Sequence, residues 1–160
     1  MKIKKIETEF EVYENVNELP KDVSELMAEA VKARLRAYAP YSNFLVGAAL
    51  LLDNGEIVTG NNQENASYPS GLCAERTAIY YAGSQFPGAK IVRMAIIAGS
   101  VKNKTTTPIP PCGACRQAIL EYEINQELPI DIYFMGESGE VMRSKSLANL
   151  LPLVFEKSVL

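Results

Sequence analysis

Three cysteines and one glutamate are the side chains of this 160-residue sequence that are best suited to chemistry at a single site. Glu75 lies two residues after Cys73, and a later Pro-Cys-Gly-Ala-Cys run contains Cys112 and Cys115. On a helix these last two residues are i and i+3, so their sulfurs face the same way and can share an ion. Three thiolates around zinc leave the fourth tetrahedral position open, which is typical of a catalytic metal site and not of a structural one.

The absence of histidine narrows the chemistry further. It removes the Ser-His and Cys-His nucleophile pairs, and it means that a transition-metal site must be built from thiolates and carboxylates. A total of three cysteines also leaves one unpaired, so the set fits a metal or catalytic site better than a disulfide framework.

Three thiolates give a zinc site a net charge of −1, which weakens the pull of the metal on a water molecule. Helices are predicted to begin near Cys73 and Cys112, and the positive ends of their dipoles would stabilise thiolate. Arg76 or Arg116 could add hydrogen bonds to the sulfurs. Glu75 is close enough to a ligand to lie beside the metal without binding it.

Each of these features also has a simpler interpretation. A Cys-x-x-Cys pair alone can also be a structural zinc site, a redox dithiol or a coincidence, and a glutamate in the first turn of a helix is most often a dipole partner. A redox pair, however, leaves Cys73 and Glu75 unexplained. The combination of both clusters therefore favours a catalytic zinc site.

Composition describes an ordinary globular chain. The length fits one domain, and 48% hydrophobic with 22% charged residues argues against disorder. The net charge of −3, with scattered Lys and Arg, makes nucleic acid an improbable partner. There is no apolar run that could span a bilayer and no signal-peptide core at the start, so we expect a cytoplasmic protein with no membrane partner.

Hydrophobic periodicity predicts an alternation of strands and helices. Helices are expected over residues 22–38 (ended by Pro40), 73–82, 112–122 and 146–151. Strands are expected over residues 3–12, 46–52, 56–60, 91–98, 130–135 and 140–143, with Asp53-Asn54-Gly55 as a hairpin turn between the second and third.

The order of these elements predicts an α/β fold. Strand–helix–strand units form parallel pairs through right-handed crossovers, whereas a hairpin is antiparallel. We therefore expect three layers, with a mixed sheet of about five strands and helices on both of its faces. Residues 1–20 would form an N-terminal extension containing a strand, and residues 21–160 a single domain.

The two cysteine clusters match the known signature of zinc deaminases in its all-cysteine form. More closely, the chain resembles the small homotetrameric zinc-dependent cytidine deaminases from about residue 26 to residue 155. The resemblance lies in four ordered blocks, AYAPYSNFLVGAAL (37–50), GNNQENASYPSGLCAERTAIYYAG (60–83), PCGACRQ (111–117) and LLPLVF (150–155).

This resemblance implies a role for each matching residue. Cys73, Cys112 and Cys115 would hold one zinc ion per chain, Glu75 would shuttle protons, and Arg76 would neutralise thiolate charge. The residues implied in nucleoside binding are Phe44 beside the pyrimidine, Asn62 and Glu64 on the ribose, and Ala66, Tyr68 and Phe155, which would reach the ligand of a neighbouring subunit.

The implied reaction is the hydrolytic deamination of cytidine, and of 2′-deoxycytidine, to the corresponding uridine with release of ammonia in pyrimidine salvage. Pro110, where the family commonly has serine, and Ala98-Gly99-Ser100, where it has an acidic pattern, depart from the family sequence without touching a ligand. Two alternatives remain. One is a deaminase for a nucleoside-like antibiotic such as blasticidin S, although the NQENASY block favours cytidine as the substrate. The other is a zinc-stabilised binding module without turnover, in which Glu75 would have no purpose.

Overall fold

The computed structural model describes all 160 residues, which form a six-stranded mixed sheet with helices on both faces. The strands and helices, in chain order, are β1 (Glu11–Tyr13), α1 (Lys21–Arg34), β2 (Phe44–Leu52), β3 (Ile57–Asn61), α2 (Ala74–Gln85), β4 (Ile91–Ser100), α3 (Gly113–Gln126), β5 (Asp131–Met135) and β6 (Val141–Ser144). Four single-turn 3-10 helices complete the chain. None of the helices combines the length and the apolarity that crossing a bilayer requires.

The strands lie in the order β1-β6-β5-β4-β2-β3. The β2–β3 hairpin is antiparallel, and β4 pairs with the other edge of β2, also antiparallel, so β3 and β4 run in the same direction. The crossover through α3 makes β4 and β5 parallel, as expected for a strand–helix–strand unit. The predicted α/β architecture is confirmed, with six strands where about five were expected.

The core has two halves because the central strands are buried on both sides. Successive side chains of a strand point to opposite faces, so Met94 and Ile96 of β4 pack under α2 and α3, whereas Ala95 and Ile97 pack under α1. This two-sided burial explains why the sequence of β4 shows an almost continuous apolar run instead of alternation.

The N-terminal strand is much shorter than the prediction over residues 3–12. Only Glu11–Tyr13 form a ladder, because their partner β6 is itself just four residues long and offers three paired positions. Arg143 holds β1 in place by donating to Glu11 on one side and to Asp131 on the other. Residues 1–10 have alternating polarity but no neighbouring strand with which to pair.

Two helices also end earlier than predicted. Helix α1 ends at Arg34 and not at residue 38, because the backbone of Tyr38 bonds to Asn62 O and to Glu64 N beyond β3. The helix predicted over residues 146–151 is only a 3-10 turn, Leu147–Asn149, which the Ser146 side chain caps. The other helices and strands lie within a few residues of their predicted positions.

Gly60 sets how closely α2 approaches the sheet. A Cβ atom built on this β3 residue would lie 2.5 Å from Ala74 O and 2.6 Å from Ala78 N, both of which belong to the α2 backbone. The absence of a side chain therefore lets the first turn of α2, directly after Cys73, lie against the sheet.

We predict that Gly60→Ala destabilises the fold, because backbone atoms of a helix cannot move aside as a flexible side chain would. Overpacking of this kind costs about 1–3 kcal/mol, which corresponds to a fall in Tm of roughly 3–10 °C for a chain of this size. Thermal unfolding followed by circular dichroism measures the effect. Gly113→Ala is the matched control, because a Cβ there meets no atom within 4 Å. Equal Tm values for the two variants would contradict the close approach at Gly60.

Candidate metal centre and active site

The three cysteines converge where two helices begin. Cys73 is the N-cap of α2, Cys112 is the N-cap of α3, and Cys115 lies in the first turn of α3. All three Sγ atoms lie within 4.8 Å of one another, and those of Cys73 and Cys112 are 3.8 Å apart. Residues 39 positions apart in sequence are thus brought together by the packing of α2 and α3 on the same face of the sheet.

This arrangement fits a zinc ion. Zinc–sulfur bonds of about 2.3 Å in tetrahedral geometry require sulfurs roughly 3.8 Å apart, which is the separation observed between Cys73 and Cys112. Soft thiolate ligands are also those that select zinc. Because only three cysteines take part, a fourth coordination position would remain for water or substrate.

The surroundings of Cys73 favour its thiolate form. The Cys115 thiol donates to Cys73 and the Arg76 guanidinium lies 3.4 Å from the same sulfur, and together they lower the pKa of Cys73 to about 5. Cys115, buried and acting as donor, has its pKa raised. The N–H groups at the starts of α2 and α3 add positive potential.

Glu75 is a buried carboxyl group beside the cysteines. It lies in the first turn of α2 and is only 4% exposed. Burial, which disfavours the charged form, raises the pKa of Glu75 to about 7, and the negative charge of Cys73 acts in the same direction. A carboxyl group of this kind can both accept and release a proton near neutral pH.

The two arginines near the cysteines have different roles. Arg76 donates to Cys73 Sγ, as the sequence suggested. Arg116 does not reach a sulfur, because its guanidinium donates to Pro111 O at 2.8 Å and to Leu150 O at 2.9 Å. It joins the segment before Cys112 to the C-terminal segment.

A cleft of about 430 Å³ opens beside Cys73 and Arg76. Its other walls come from the loops after α1 and β3, and they are mostly polar. The lining residues are Tyr41, Ser42, Asn62, Gln63, Glu64, Asn65, Tyr68, Gly71, Leu72, Cys73 and Arg76. The cleft therefore connects the sulfur cluster with three of the residues that the sequence suggested for nucleoside binding.

Comparison with known proteins agrees with this site. Residues 20–128 match the model of the cytidine and deoxycytidylate deaminase zinc-binding region. The chain belongs to this family. The resemblance is thus confirmed, and zinc is the metal to which the three cysteines are suited.

The match to this chain spans nearly the whole length of several relatives. The cytidine deaminase of Sporosarcina psychrophila is 43% identical over 137 residues, which are 85% of this chain and 93% of the relative. That of Halalkalibacterium halodurans is 42% identical over 132 residues, 81% of this chain and 91% of the relative. The crystal structure of the cytidine deaminase from Burkholderia pseudomallei has a TM-score of 0.72 and 37% identity, covering 86% of this chain and all of the other.

In this member of the deaminase family, the side chains of Asn62 and Glu64 bond to nearby backbone. Asn62 accepts from Val46 N at 2.8 Å and donates to Phe44 O at 2.9 Å. Glu64 accepts from Tyr41 N at 2.9 Å, from Ser42 N at 3.2 Å and from the Ser42 hydroxyl. The Ser42 hydroxyl and these two N–H groups lower the pKa of Glu64, which keeps the carboxylate charged.

The four remaining candidates are less enclosed. Phe44 is half-buried at the start of β2, and strand alternation directs it to the face that carries α2 and α3. Ala66 is exposed, and Tyr68 is 76% exposed with its ring edge-on to Tyr41. Phe155 is 60% exposed, and its carbonyl accepts from Gln117. Phe44, Ala66 and Phe155 do not line the cleft in the single chain, whereas Tyr68 does.

Tyr41 and Ser42 were not singled out by the sequence analysis, although their backbone holds Glu64. Both lie in the AYAPYSNFLVGAAL block, and a serine two residues before a strand is a common turn former that carries no functional signal alone. Only the fold, which brings residues 41–42 beside residue 64, reveals their role.

We predict that the purified protein contains about one zinc per chain and that Cys73→Ser loses zinc and activity together. A serine hydroxyl at this position is a far poorer ligand than a thiolate. Metal analysis by mass spectrometry measures the content. Ser84→Ala, an exposed position on the same helix, is the control and should retain the metal. A zinc-free Cys73→Ser variant with wild-type activity would overturn the assignment.

Proposed function

We propose that the protein deaminates cytidine and 2′-deoxycytidine by hydrolysis, producing the uridine nucleoside and ammonia. The observation that carries the proposal is the buried Glu75 carboxyl beside three converging cysteines, in a chain of the cytidine and deoxycytidylate deaminase family. A site with a purely structural metal has no use for a buried carboxyl group beside an open coordination position.

Cys73, Cys112 and Cys115 would hold zinc, which when bound acts as a Lewis acid and makes water a stronger nucleophile at neutral pH. Glu75 accepts a proton from the water molecule that adds to C4 of the pyrimidine, and it delivers this proton to N3. It then accepts the second proton of that water, from the hydroxyl group now on C4, and delivers it to the departing amine. One water is consumed and one ammonia is released, and Glu75 returns to its initial protonation state.

Arg76 supports this chemistry through the sulfurs. Its hydrogen bond to Cys73 withdraws negative charge from the thiolate and leaves the metal more electrophilic. Because the guanidinium cannot lose its proton in the physiological range, this effect would persist at every pH at which the enzyme works.

Glu64 and Asn62 are proposed to bind the ribose hydroxyl groups. A carboxylate offers about four acceptor positions, and three on Glu64 are filled by Tyr41 N and by the N–H and hydroxyl of Ser42. One position remains for a hydroxyl donor. These contacts hold the carboxylate rigidly, and its negative charge would repel a nucleoside phosphate. Phe44 would lie against the pyrimidine.

The test of this function is the loss of cytidine's ultraviolet absorbance when purified protein is added. Cytidine and deoxycytidine should be turned over in preference to free cytosine and cytidine monophosphate. Without a ribose, Glu64 loses a hydrogen-bond partner, which costs on the order of 1–3 kcal/mol. Faster turnover of cytosine than of cytidine would indicate a base deaminase instead.

We further propose a homotetramer with shared active sites, in which Ala66, Tyr68 and Phe155 contact the ligand bound by a neighbouring chain. What supports this is the exposure of the Tyr68 and Phe155 rings and of the apolar residues before Phe155, with Leu153 at 74% and Val154 at 45% exposed. Large exposed apolar groups of this kind are typical of surfaces that another molecule covers.

A role in pyrimidine salvage and a cytoplasmic location complete the proposal. Three free thiols at the site require a reducing compartment, as the cytoplasm provides. We assign the catalytic domain to residues 21–160 and treat residues 1–20 as an extension.

We predict that Glu75→Gln retains zinc and lowers kcat roughly 10²-fold or more, the usual effect of removing a general acid–base group. Glutamine keeps the shape of the side chain but cannot carry the proton. Zinc content and steady-state kinetics are measured on the same preparation. Glu121→Gln, the same change at an exposed position of α3, should behave as wild type. A Glu75→Gln variant with the wild-type kcat would reduce Glu75 to a charge at a helix end.

Phe155→Ala should raise KM for cytidine while zinc is retained, because the pyrimidine loses a covering ring. If Phe155 acts on a neighbour's ligand, mixing this variant with Glu75→Gln chains should restore activity, since some pockets combine an intact Glu75 with an intact Phe155. Leu160→Ala, an exposed apolar residue at the C-terminus, is the control. Mixed oligomers with no recovery above the parent variants would place Phe155 at its own subunit's site, and light scattering that gives a monomer would exclude shared sites.

A further inference from the structure

An ion pair joins the end of α1 to the turn after β5, at the edge of the sheet where the β4–α3 loop begins. Arg34 Nη2 lies 2.8 Å from Glu137 Oε1, and the two side chains are only 10% and 26% exposed. The same guanidinium donates through Nε to Leu45 O at 3.1 Å. Arg34 thus connects Glu137 to the strand residue that follows Phe44.

The second oxygen of Glu137 holds the loop between β4 and α3. Thr105 N donates to Glu137 Oε2 at 3.0 Å, and Glu137 N donates back to Thr105 O at 2.7 Å. This loop comprises residues 101–112 and ends at Cys112. The Thr105 N–H and, after it, Arg34 lower the pKa of Glu137, so the carboxylate is charged.

Gly99 provides the space for this carboxylate. A Cβ atom at residue 99 of β4 would overlap Glu137 Cγ, and it would lie 2.7 Å from Glu137 Cδ and 2.8 Å from Arg34 Nη2. Any side chain here would displace Glu137 or compete with it for the guanidinium. Three positions far apart in sequence are therefore matched to one another in shape and charge.

We infer that Glu137, held by Arg34, is a positioning residue that fixes the loop carrying Cys112 and so the geometry of the metal site. This inference rests on the proposed function for its kinetic consequence, but not for its effect on metal retention. The loop passes from β4 to α3. Glu137 anchors it at Thr105, because its carboxylate accepts from Thr105 N and its own N–H donates to Thr105 O. Without Glu137, the charge of Arg34 would be left buried without a carboxylate partner, and the loop would lose its anchor at Thr105.

A second ion pair of α1 offers a matched comparison. Asp22, in the first turn of the helix, lies 2.6 Å from Arg93 Nη1 on β4. This pair also attaches α1 to the sheet, but neither residue contacts the loop of residues 101–112 or the start of β2. Its loss should affect stability without affecting the metal site.

The experiment compares zinc-loaded wild type, Glu137→Ala, Asp22→Ala and the double variant Gly99→Asp/Glu137→Ala. Zinc transfer to a colorimetric chelator, amide hydrogen exchange of residues 101–112, Tm and the kinetics with cytidine are measured. Glu137→Ala should release zinc faster than the wild type, by up to about tenfold, because Glu137 holds the loop and does not bond to a ligand itself. Its loop should exchange faster, and kcat should fall more than KM changes.

The double variant separates the charge of Arg34 from the contact with the loop. With Glu137 shortened, an aspartate at residue 99 would lie against Arg34 Nη2 and offset its charge, but it would not replace the carboxylate bond to Thr105 N. Tm should therefore recover in part, whereas zinc release should stay fast. Asp22→Ala should release zinc at the wild-type rate even if its Tm falls. Glu137→Gln keeps the side-chain volume and loses only the charge, so it should show the same direction of change if the alanine variant does not fold.

Zinc release from both Glu137 variants at the wild-type rate, with Tm lowered as in Asp22→Ala, would overturn the inference and leave an ordinary stabilising ion pair. Slow zinc release restored in the double variant would show that neutralising Arg34 is sufficient, and it would overturn the role assigned to the contact of Glu137 with the loop. If the wild type does not turn over cytidine, the proposed function fails, and faster zinc release in Glu137→Ala would still support the positioning role.

Discussion

The structure depends on the close approach of three sulfur atoms, which lie within 4.8 Å of one another. As thiolates they repel one another, and the chain has no histidine that could replace one of them with a neutral ligand. Several features of the fold offset that repulsion. Strands β3 and β4 run in the same direction with β2 between them, so the helices that follow them begin at the same edge of the sheet. The positive ends of α2 and α3 therefore meet at the cysteines, and Arg76 adds a full charge.

The same packing makes Glu75 chemically useful. Its position two residues after a helix-capping cysteine turns it inward, where Gly60 lets the first turn of α2 lie against the sheet. Burial and the adjacent thiolate act together to raise the pKa of Glu75 to about 7. One short sequence, Cys-Ala-Glu-Arg, would thus supply the proposed metal ligand, the proposed proton carrier and a charge that stabilises the ligand, because all three lie in one helical turn.

The walls of the cleft are built differently, from loops whose polar side chains bond to backbone. Glu64 is held by residues 41–42, and Asn62 is held by the first residues of β2. Such contacts fix the direction of the polar groups before a ligand arrives, which lowers the entropic cost of binding. The aromatic residues near the cleft remain exposed in the single chain, which is consistent with the proposed contribution of neighbouring chains.

Local features of this protein could be inferred from its sequence alone. The hairpin at Asp53-Asn54-Gly55, the helices that begin after Cys73 and Cys112, and the pairing of Glu75 with a ligand all follow from interactions within a few residues. Only the tertiary structure decided the rest. Strand β1 is short because β6 is short, and α1 stops at Arg34 because Tyr38 bonds to Asn62 and Glu64. Arg34 and Glu137 meet across 103 residues, in space that Gly99 leaves free. Such contacts depend on how the layers of the fold pack, and no pattern within a short stretch of sequence encodes them.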